Sequence, residues 1–339
     1  MPLSISSSNR IIRTRSWGKL WLVAVMTAVA VLGAWEGFWR WNGFVPSVED
    51  DWDVWAAARR SVSRKSGRSI VLIGSSRIQL GLHPDVIERR TGIRPVMLAI
   101  DGSSPLPVLS DLADDPEFSG TVICSLLPLW LAETSPDTGR SEKWIRKYRK
   151  QVWSGQLETR LSTACRQMFV FRYPGLSPAR VWSHVREGTR PRMPYAPMRP
   201  DRYRPADFTV ADIQQIRASR EQREKARHAA AEPMPPDAFM KRVEAIRASV
   251  RRIRGRGGQV VFVRLPSTGV IRQLEQRTWP RHRYWDIFAN HVQAVTVHFE
   301  DVPALAGFPC PDGSHLDVRD AVRFTDRLVK TLIEKKLDL

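Results

Sequence analysis

The chain has 339 residues, of which 42% are hydrophobic, and this apolar content is ample for a buried core, so an intrinsically disordered chain is excluded. Its 53 Lys and Arg residues outnumber 35 Asp and Glu residues and give a net charge of +18, which by itself favours a polyanionic partner. The three cysteines, Cys124, Cys165 and Cys310, lack CxxC spacing, which argues against a structural zinc site and a disulfide framework. A bridge between Cys165 and Cys310 stays open in an oxidising compartment.

The first predicted element is a membrane-spanning helix over residues 17–39. Leu20 to Trp35 contains no charged residue, and flanking aromatic residues extend the segment to the roughly 20 residues that cross a bilayer. The alternatives are a signal peptide cleaved after Ala28-Val29-Ala30 and a buried core helix. The uncleaved anchor is favoured because the apolar run continues past this site and ends at tryptophans.

The charges that flank this segment predict its orientation. Basic residues precede it, namely Arg10, Arg13, Arg15 and Lys19, and acidic residues follow it, namely Glu49, Asp50, Asp51 and Asp53. The positive-inside rule then makes residues 1–16 a cytoplasmic tail of a single-pass inner-membrane protein with a periplasmic or otherwise extracytoplasmic domain. That location argues against nucleic acid as the partner.

After a membrane-proximal linker or helix over residues 40–67, short apolar runs alternate with helical patterns. The runs cover residues 69–73, 95–100, 121–127, 259–265 and 293–299, and the helical patterns cover 83–90, 106–113, 237–254 and 318–336. Such alternation predicts an α/β domain over residues 68–131 and 237–339, with a parallel sheet covered by helices on both faces.

A basic insertion over residues 132–236 interrupts the alternation. Between Arg140 and Arg256 the chain carries 28 basic and 11 acidic residues, so this stretch accounts for almost the whole net charge. Helices are predicted over residues 142–171 and 210–231, and the second is so polar that we expect it to be exposed. Residues 188–207 are predicted to be irregular.

Three residues could form a catalytic triad. Ser76 follows the first predicted strand, where open α/β sheets place their ligand crevice, and Asp312 and His315 precede the last helix three residues apart. A serine nucleophile needs a base to take its proton and a third group to orient the base. Alternatively, Ser76 caps the following helix, and Asp312 and His315 are turn and cap residues.

Two motifs resemble the SGNH (GDSL-like) hydrolase and acyltransferase superfamily, in particular its membrane-anchored bacterial branch. Gly74-Ser75-Ser76-Arg77 resembles its first block, and Asp312-Gly313-Ser314-His315 resembles its terminal Asp-x-x-His. The resemblance implies a flavodoxin-like fold, Ser76, His315 and Asp312 as the triad, and no metal or cofactor. It also implies oxyanion donors at the Ser76 and Gly102 N–H groups.

The chain departs from this family at the third block. Gly-x-Asn-Asp is absent, and the corresponding strand end reads Ser125-Leu126-Leu127-Pro128-Leu129, without the Asn donor. Arg77, beside the serine, and Arg264, at the end of the fourth predicted strand, are weak candidates for substrate binding, and Arg77 is favoured as a structural hydrogen-bonding residue.

The predicted function is that of an extracytoplasmic serine-dependent O-acyl esterase or O-acyltransferase acting on a cell-surface glycan or a similar ester. A multi-spanning membrane protein could supply the acyl group. The alternative is a catalytically inactive, anchored protein of the same fold that uses the basic insertion to bind an anionic polymer or lipid headgroups.

Overall fold

The computed structural model describes residues 17–48, 50–63, 69–134, 138–151, 158, 161, 164–165, 168–335 and 337. These residues form two compact units. The anchor unit comprises the described residues of 1–46 and 169–191, and the α/β unit comprises those of 47–168 and 192–339.

The described secondary structure follows the predicted alternation. The strands are β1 (Ile70–Ile73), β2 (Val96–Met97), β3 (Thr121–Ser125), β4 (Gln259–Arg264) and β5 (Val295–His298). The helices are α1 (Trp17–Trp41), α2 (Trp52–Ser63), α3 (Ser76–Gly81), α4 (Pro84–Thr91), α5 (Leu106–Asp114), α6 (Pro128–Ala132), α7 (Gly139–Lys150), α8 (Pro178–Arg186), α9 (Ile213–Ala229), α10 (Pro236–Arg254), α11 (Gly269–Thr278), α12 (Trp285–His291), α13 (Pro303–Ala306) and α14 (Val318–Glu334).

The α/β unit is built on a five-stranded parallel sheet. Its strand order is β2-β1-β3-β4-β5, the order of flavodoxin-like sheets. The register pairs Val71 with both Val96 and Val122, and Val122 with Val260. These β-branched runs suit strands that are buried on both faces. The predicted parallel α/β architecture is therefore confirmed.

Helices cover both faces of this sheet because successive strand residues point to opposite sides. Val71 and Ile73 join a core that includes side chains of α2, α5 and α10. Ile70 and Leu72 join a second core that includes side chains of α3, α4 and α14. The carboxyl ends of the strands then open onto a single edge, where β1 delivers Ser76.

The anchor unit contains a helix that is long and apolar enough to cross a membrane. Helix α1 has 25 residues, which correspond to about 37 Å at 1.5 Å per residue, and its apolar side chains are largely exposed. The unit also contains two short 3-10 turns, Val170–Arg172 and Pro174–Leu176, and helix α8.

The irregular stretch within residues 192–207 is tied to the sheet of the α/β unit. The Arg202 side chain is 1% exposed and donates hydrogen bonds to the Met97 and Ala99 carbonyl oxygens at 2.7 and 2.8 Å. Its guanidinium also pairs with Asp50. The prediction of irregular backbone is correct. The sequence pattern did not indicate that this arginine forms hydrogen bonds with carbonyl groups at the end of β2.

The cysteines are free thiols, so the Cys165 to Cys310 bridge that the sequence left open is absent. Cys310 lies buried near the predicted triad loop, and burial raises the pKa of its thiol to about 12.

Candidate active site

The turn that presents Ser76 needs a glycine. A Cβ atom on Gly74 would lie 2.7 Å from Ile78 Cγ2 and 3.0 Å from Ser125 Cβ, closer than packed carbon atoms approach. The absence of that Cβ lets β1 turn directly into α3. Ser76 is therefore the first residue of α3, at the carboxyl edge of the sheet.

The loop that carries Asp312 and His315 is folded by the carboxylate of Asp312 itself. Its Oδ1 atom accepts hydrogen bonds from the Ser314 and His315 backbone N–H groups at 2.9 and 2.8 Å. The Asp312 side chain is fully buried, and α14 begins three residues after His315 with Asp317 as its N-cap. The local hydrogen bonds thus fix both side chains before the helix starts.

His315 bridges the other two residues. Its Nε2 atom lies 2.9 Å from Ser76 Oγ, and its Nδ1 atom lies 2.8 Å from Asp312 Oδ2. The pKa of Asp312 is held well below its usual range, chiefly by the His315 and Arg220 charges and the hydrogen bonds it accepts, which together overcome the effect of its burial. The ionised carboxylate accepts a hydrogen bond from the Nδ1–H group, and in this tautomer the Nε2 lone pair faces the serine hydroxyl.

Burial lowers the pKa of His315 and so favours the neutral imidazole. The Asp312 carboxylate opposes this shift, whereas the charges of Arg220 and Arg77 add to it. The arrangement meets the requirements of an activated serine: a nucleophile, an uncharged base within hydrogen-bond reach, and an acid that orients the base.

No sequence pattern pointed to Arg220 as a residue of the candidate site, because it lies in the basic insertion. From helix α9, its Nε atom lies 2.9 Å from Asp312 Oδ2. Arg217, one turn earlier, donates two hydrogen bonds to the Pro311 carbonyl oxygen at 2.8 and 2.6 Å. As predicted, α9 is polar and buries no residue, but it docks two arginines on the loop that holds Asp312.

Arg77 connects the two loops of the candidate site. Its Nε atom donates to Ser314 Oγ at 3.0 Å, and its Nη2 atom donates to Glu275 Oε1 at 2.6 Å. Arg77 is the neighbour of Ser76, and Ser314 is the neighbour of His315. The contact therefore holds the nucleophile turn against the base loop. Arg77 also lines the cavity beside Ser76, so its candidacy for substrate binding stays a prediction.

Arg264 lies at the end of β4, where the sequence places it. The side chain is fully buried, pairs with Glu275 and does not line the cavity beside Ser76. The guanidinium is the counter-charge of a buried carboxylate, and its suggested role in substrate binding stays a prediction. The charges of Arg264 and Arg77 lower the pKa of Glu275 to about 2, against the opposing effect of burial.

Replacing Glu275 with Gln should destabilise the α/β unit strongly. The change leaves two buried guanidinium groups without a counter-charge, and breaking a buried pair in this way costs about 3 to 5 kcal/mol. In thermal unfolding of the full chain in detergent, the transition of this unit should move down by roughly 6 to 20 °C. Glu244→Gln, at an exposed ion pair on α10, is the matched control and should leave the midpoint unchanged. Equal midpoints for the two variants would contradict the structural role of Glu275.

A cavity of about 170 Å³ lies beside Ser76. Its described lining includes Ser76, Gly102, Trp130, Trp279 and the α9 residues Arg220, Arg223, Glu224, Arg227 and His228.

Gly102 adopts a left-handed conformation with φ of 67°, which suits glycine. Among the described turns, loops and caps, no backbone carbonyl accepts a hydrogen bond from the Ser76 or Gly102 N–H group. A larger groove of about 600 Å³ lies between α5 and α10, away from these residues.

Comparisons with known proteins add little to this geometry. No protein-family model matches the chain, and no curated protein sequence matches it. A solved structure titled "Crystal Structure of TesA" aligns with a TM-score of 0.33 and 12% sequence identity, over 78% of this chain and 97% of that one. A similarity of this size supports no inference about activity.

Proposed function

We propose that the chain is a membrane-anchored, serine-dependent O-acyl esterase or O-acyltransferase. The observation that carries the proposal is His315, whose two ring nitrogens lie within 2.9 Å of Ser76 Oγ and 2.8 Å of Asp312 Oδ2. Ser76 lies 239 residues before His315 in the sequence. An unrelated helix cap would not require a distant serine and Asp312 to align with the two nitrogens of one imidazole.

The proposed mechanism begins with attack of Ser76 Oγ on the carbonyl carbon of an ester. His315 Nε2 takes the hydroxyl proton, and the Asp312 carboxylate stabilises the resulting imidazolium. The negative charge that develops on the carbonyl oxygen is bound by the Ser76 and Gly102 N–H groups. His315 then protonates the leaving alkoxide, and the acyl group remains on Ser76.

The second half of the reaction reverses these proton transfers. His315 removes a proton from water or from a sugar hydroxyl, whose oxygen attacks the acyl group on Ser76. Collapse of the second tetrahedral species releases a carboxylic acid or a new ester and returns the proton to Ser76 Oγ. Attack by water makes the overall reaction an ester hydrolysis, and attack by a sugar hydroxyl makes it an acyl transfer.

Among residues 125–130, at and just after the missing third block, the four that line the cavity offer one side-chain donor. Leu127, Pro128 and Leu129 have no side-chain N–H group, whereas Trp130 carries an indole N–H. All four residues line the cavity, and the Trp130 Nε1 atom is buried without a hydrogen-bond partner among the described residues. Trp130 is therefore our candidate for the donor that asparagine supplies in the resembled family.

The proposed substrate is an acyl ester of a cell-surface glycan, on the extracytoplasmic side of an inner membrane. The proposed location is supported by the apolar helix α1 and by the basic flank that precedes it. A multi-spanning membrane protein is the proposed acyl donor if the reaction is a transfer.

A reporter fusion tests the proposed extracytoplasmic location of the C-terminus. An alkaline phosphatase reporter fused after Leu339 should be active, and activity of a cytoplasmic reporter at the same point would overturn this topology.

The second candidate function is a non-catalytic, polymer-binding member of the same fold. The absence of the Asn donor at the end of β3 favours it, because loss of one oxyanion donor costs about 10²- to 10³-fold in rate.

A fluorophosphonate probe separates the two functions, since only an activated serine reacts with it. The full chain should become labelled on Ser76, and the Ser76→Ala variant should not. A folded wild-type chain that resists the probe over the whole neutral and mildly alkaline range would favour the polymer-binding function.

A further inference from the structure

Glu36 ties a second segment of the anchor unit to the end of α1. Its carboxylate accepts hydrogen bonds from the Val170 and Phe171 backbone N–H groups at 3.0 and 2.9 Å, and from Arg40 at 2.6 Å. A carboxylate in hydrocarbon is costly, and these three donors satisfy it. The contact therefore fixes the depth of the 170–172 turn relative to α1.

That depth corresponds to the membrane interface. Glu36 lies five residues before the end of α1 at Trp41, or about 7.5 Å along the helix axis. Helix α1 exceeds a ~30 Å hydrocarbon core by about 7 Å. The uncharged run from Leu20 to Trp35 covers about 24 Å at 1.5 Å per residue, so a ~30 Å core centred on it reaches about 3 Å beyond each end and places Glu36 and the turn it binds at its boundary.

Helix α8 follows this turn and is amphipathic, with the mixture of apolar and basic side chains found in helices that lie in a membrane interface. Trp182 and Val185, three residues apart on one face, are 64% and 63% exposed. Arg180 and Arg186 flank them, and none of the helix residues is buried. An exposed tryptophan beside aliphatic and basic side chains is typical of helices that lie in the headgroup layer.

We propose that α8 lies in the membrane interface, with Trp182 and Val185 inserted among the acyl chains and Arg180 and Arg186 among the headgroups. This inference rests on the proposed membrane span of α1. The occupant of the exposed face is the same bilayer that α1 crosses, because Glu36 holds the preceding turn at the bilayer boundary. The basic residues give this contact a preference for anionic lipid.

Spin-label accessibility tests the proposal on the full chain in nanodiscs of phosphatidylcholine and phosphatidylglycerol. In a Cys165→Ser background, the remaining cysteines are buried, so single labels can be placed at Val185→Cys, Ser183→Cys and Val25→Cys. Ser183 is the matched control, since it is exposed on the same helix but points roughly 100° away from Trp182. Val25 on α1 reports the span itself.

The label at residue 185 should be more accessible to oxygen than to a water-soluble nickel reagent, and the label at residue 183 should show the opposite ratio. If oxygen reaches the label at residue 25 but the nickel reagent reaches the labels at residues 183 and 185, the inference about α8 is overturned and the membrane anchor stands. An aqueous label at residue 25 would instead reject the anchor. Spin–spin broadening at residue 185 that grows with protein density in vesicles would assign the face to a second copy and also overturn the proposal.

Discussion

Ser76→Ala and His315→Ala are each expected to lower kcat on a small acetyl ester by about 10⁴- to 10⁶-fold, because the three residues act as one hydrogen-bonded unit. For the same reason the double variant should be no slower than either single variant. Asp312→Asn should lose about 10⁴-fold, since the amide no longer holds the imidazole in the required tautomer while the oxyanion donors remain.

The matched control is Ser249→Ala, which removes a hydroxyl from a buried residue of α10 that bonds to its own helix. This variant should retain the wild-type rate. Full activity of Ser76→Ala, or multiplicative losses in the Ser76 and His315 double variant, would contradict a shared triad.

Arg220→Gln is expected to shift the acidic limb of the pH profile of kcat/KM to higher pH. His315 must be uncharged to accept the serine proton, so the rate rises as the pH passes upward through its pKa. The charge of Arg220 disfavours the imidazolium and lowers that pKa, and its removal raises the pKa. The charged groups that affect His315 are Asp312, which acts in the opposite direction, and Arg77, which the variant leaves in place.

Arg223→Gln is the matched control for this experiment. Arg223 lies one turn further along α9 and lines the same cavity, but its side chain is exposed and has no ion pair with Asp312 among the described contacts. Its removal should move the midpoint much less. An NMR titration of His315 provides the pKa without turnover, so an unshifted His315 in Arg220→Gln would reject the electrostatic role of Arg220 even if the enzyme assay fails.

The parallel sheet was predictable because its strands are buried on both faces. The runs at residues 70–73, 121–125 and 259–264 are short, β-branched and uninterrupted, and each is followed by turn or helix residues. Residues at the carboxyl ends of such strands share one edge of the sheet, so the position of Ser76 at that edge follows from the sequence. The local spacing of Asp312 and His315 similarly predicted their mutual contact.

The contributions of the insertion were not predictable in this way. Arg220 and Arg217 share one face of α9, as their spacing allows, but a polar helix gives no indication of the distant loop on which it docks. Arg202 lies in the stretch predicted to be irregular and Arg264 at the end of a predicted strand, yet both side chains are buried against partners far away or on other elements. Long-range ion pairs of this kind depend on tertiary placement, which no local periodicity encodes.

The most direct test of the central claim is to trap an acyl group on Ser76. The full chain is mixed with an activated acetyl ester and quenched in acid, and its peptides are mapped by mass spectrometry. The Ser76 peptide should gain the mass of one acetyl group in the wild-type chain, and in Asp312→Asn more slowly, but not in His315→Ala. An unmodified Ser76 peptide, or an equal gain in His315→Ala, would contradict a serine nucleophile that His315 activates.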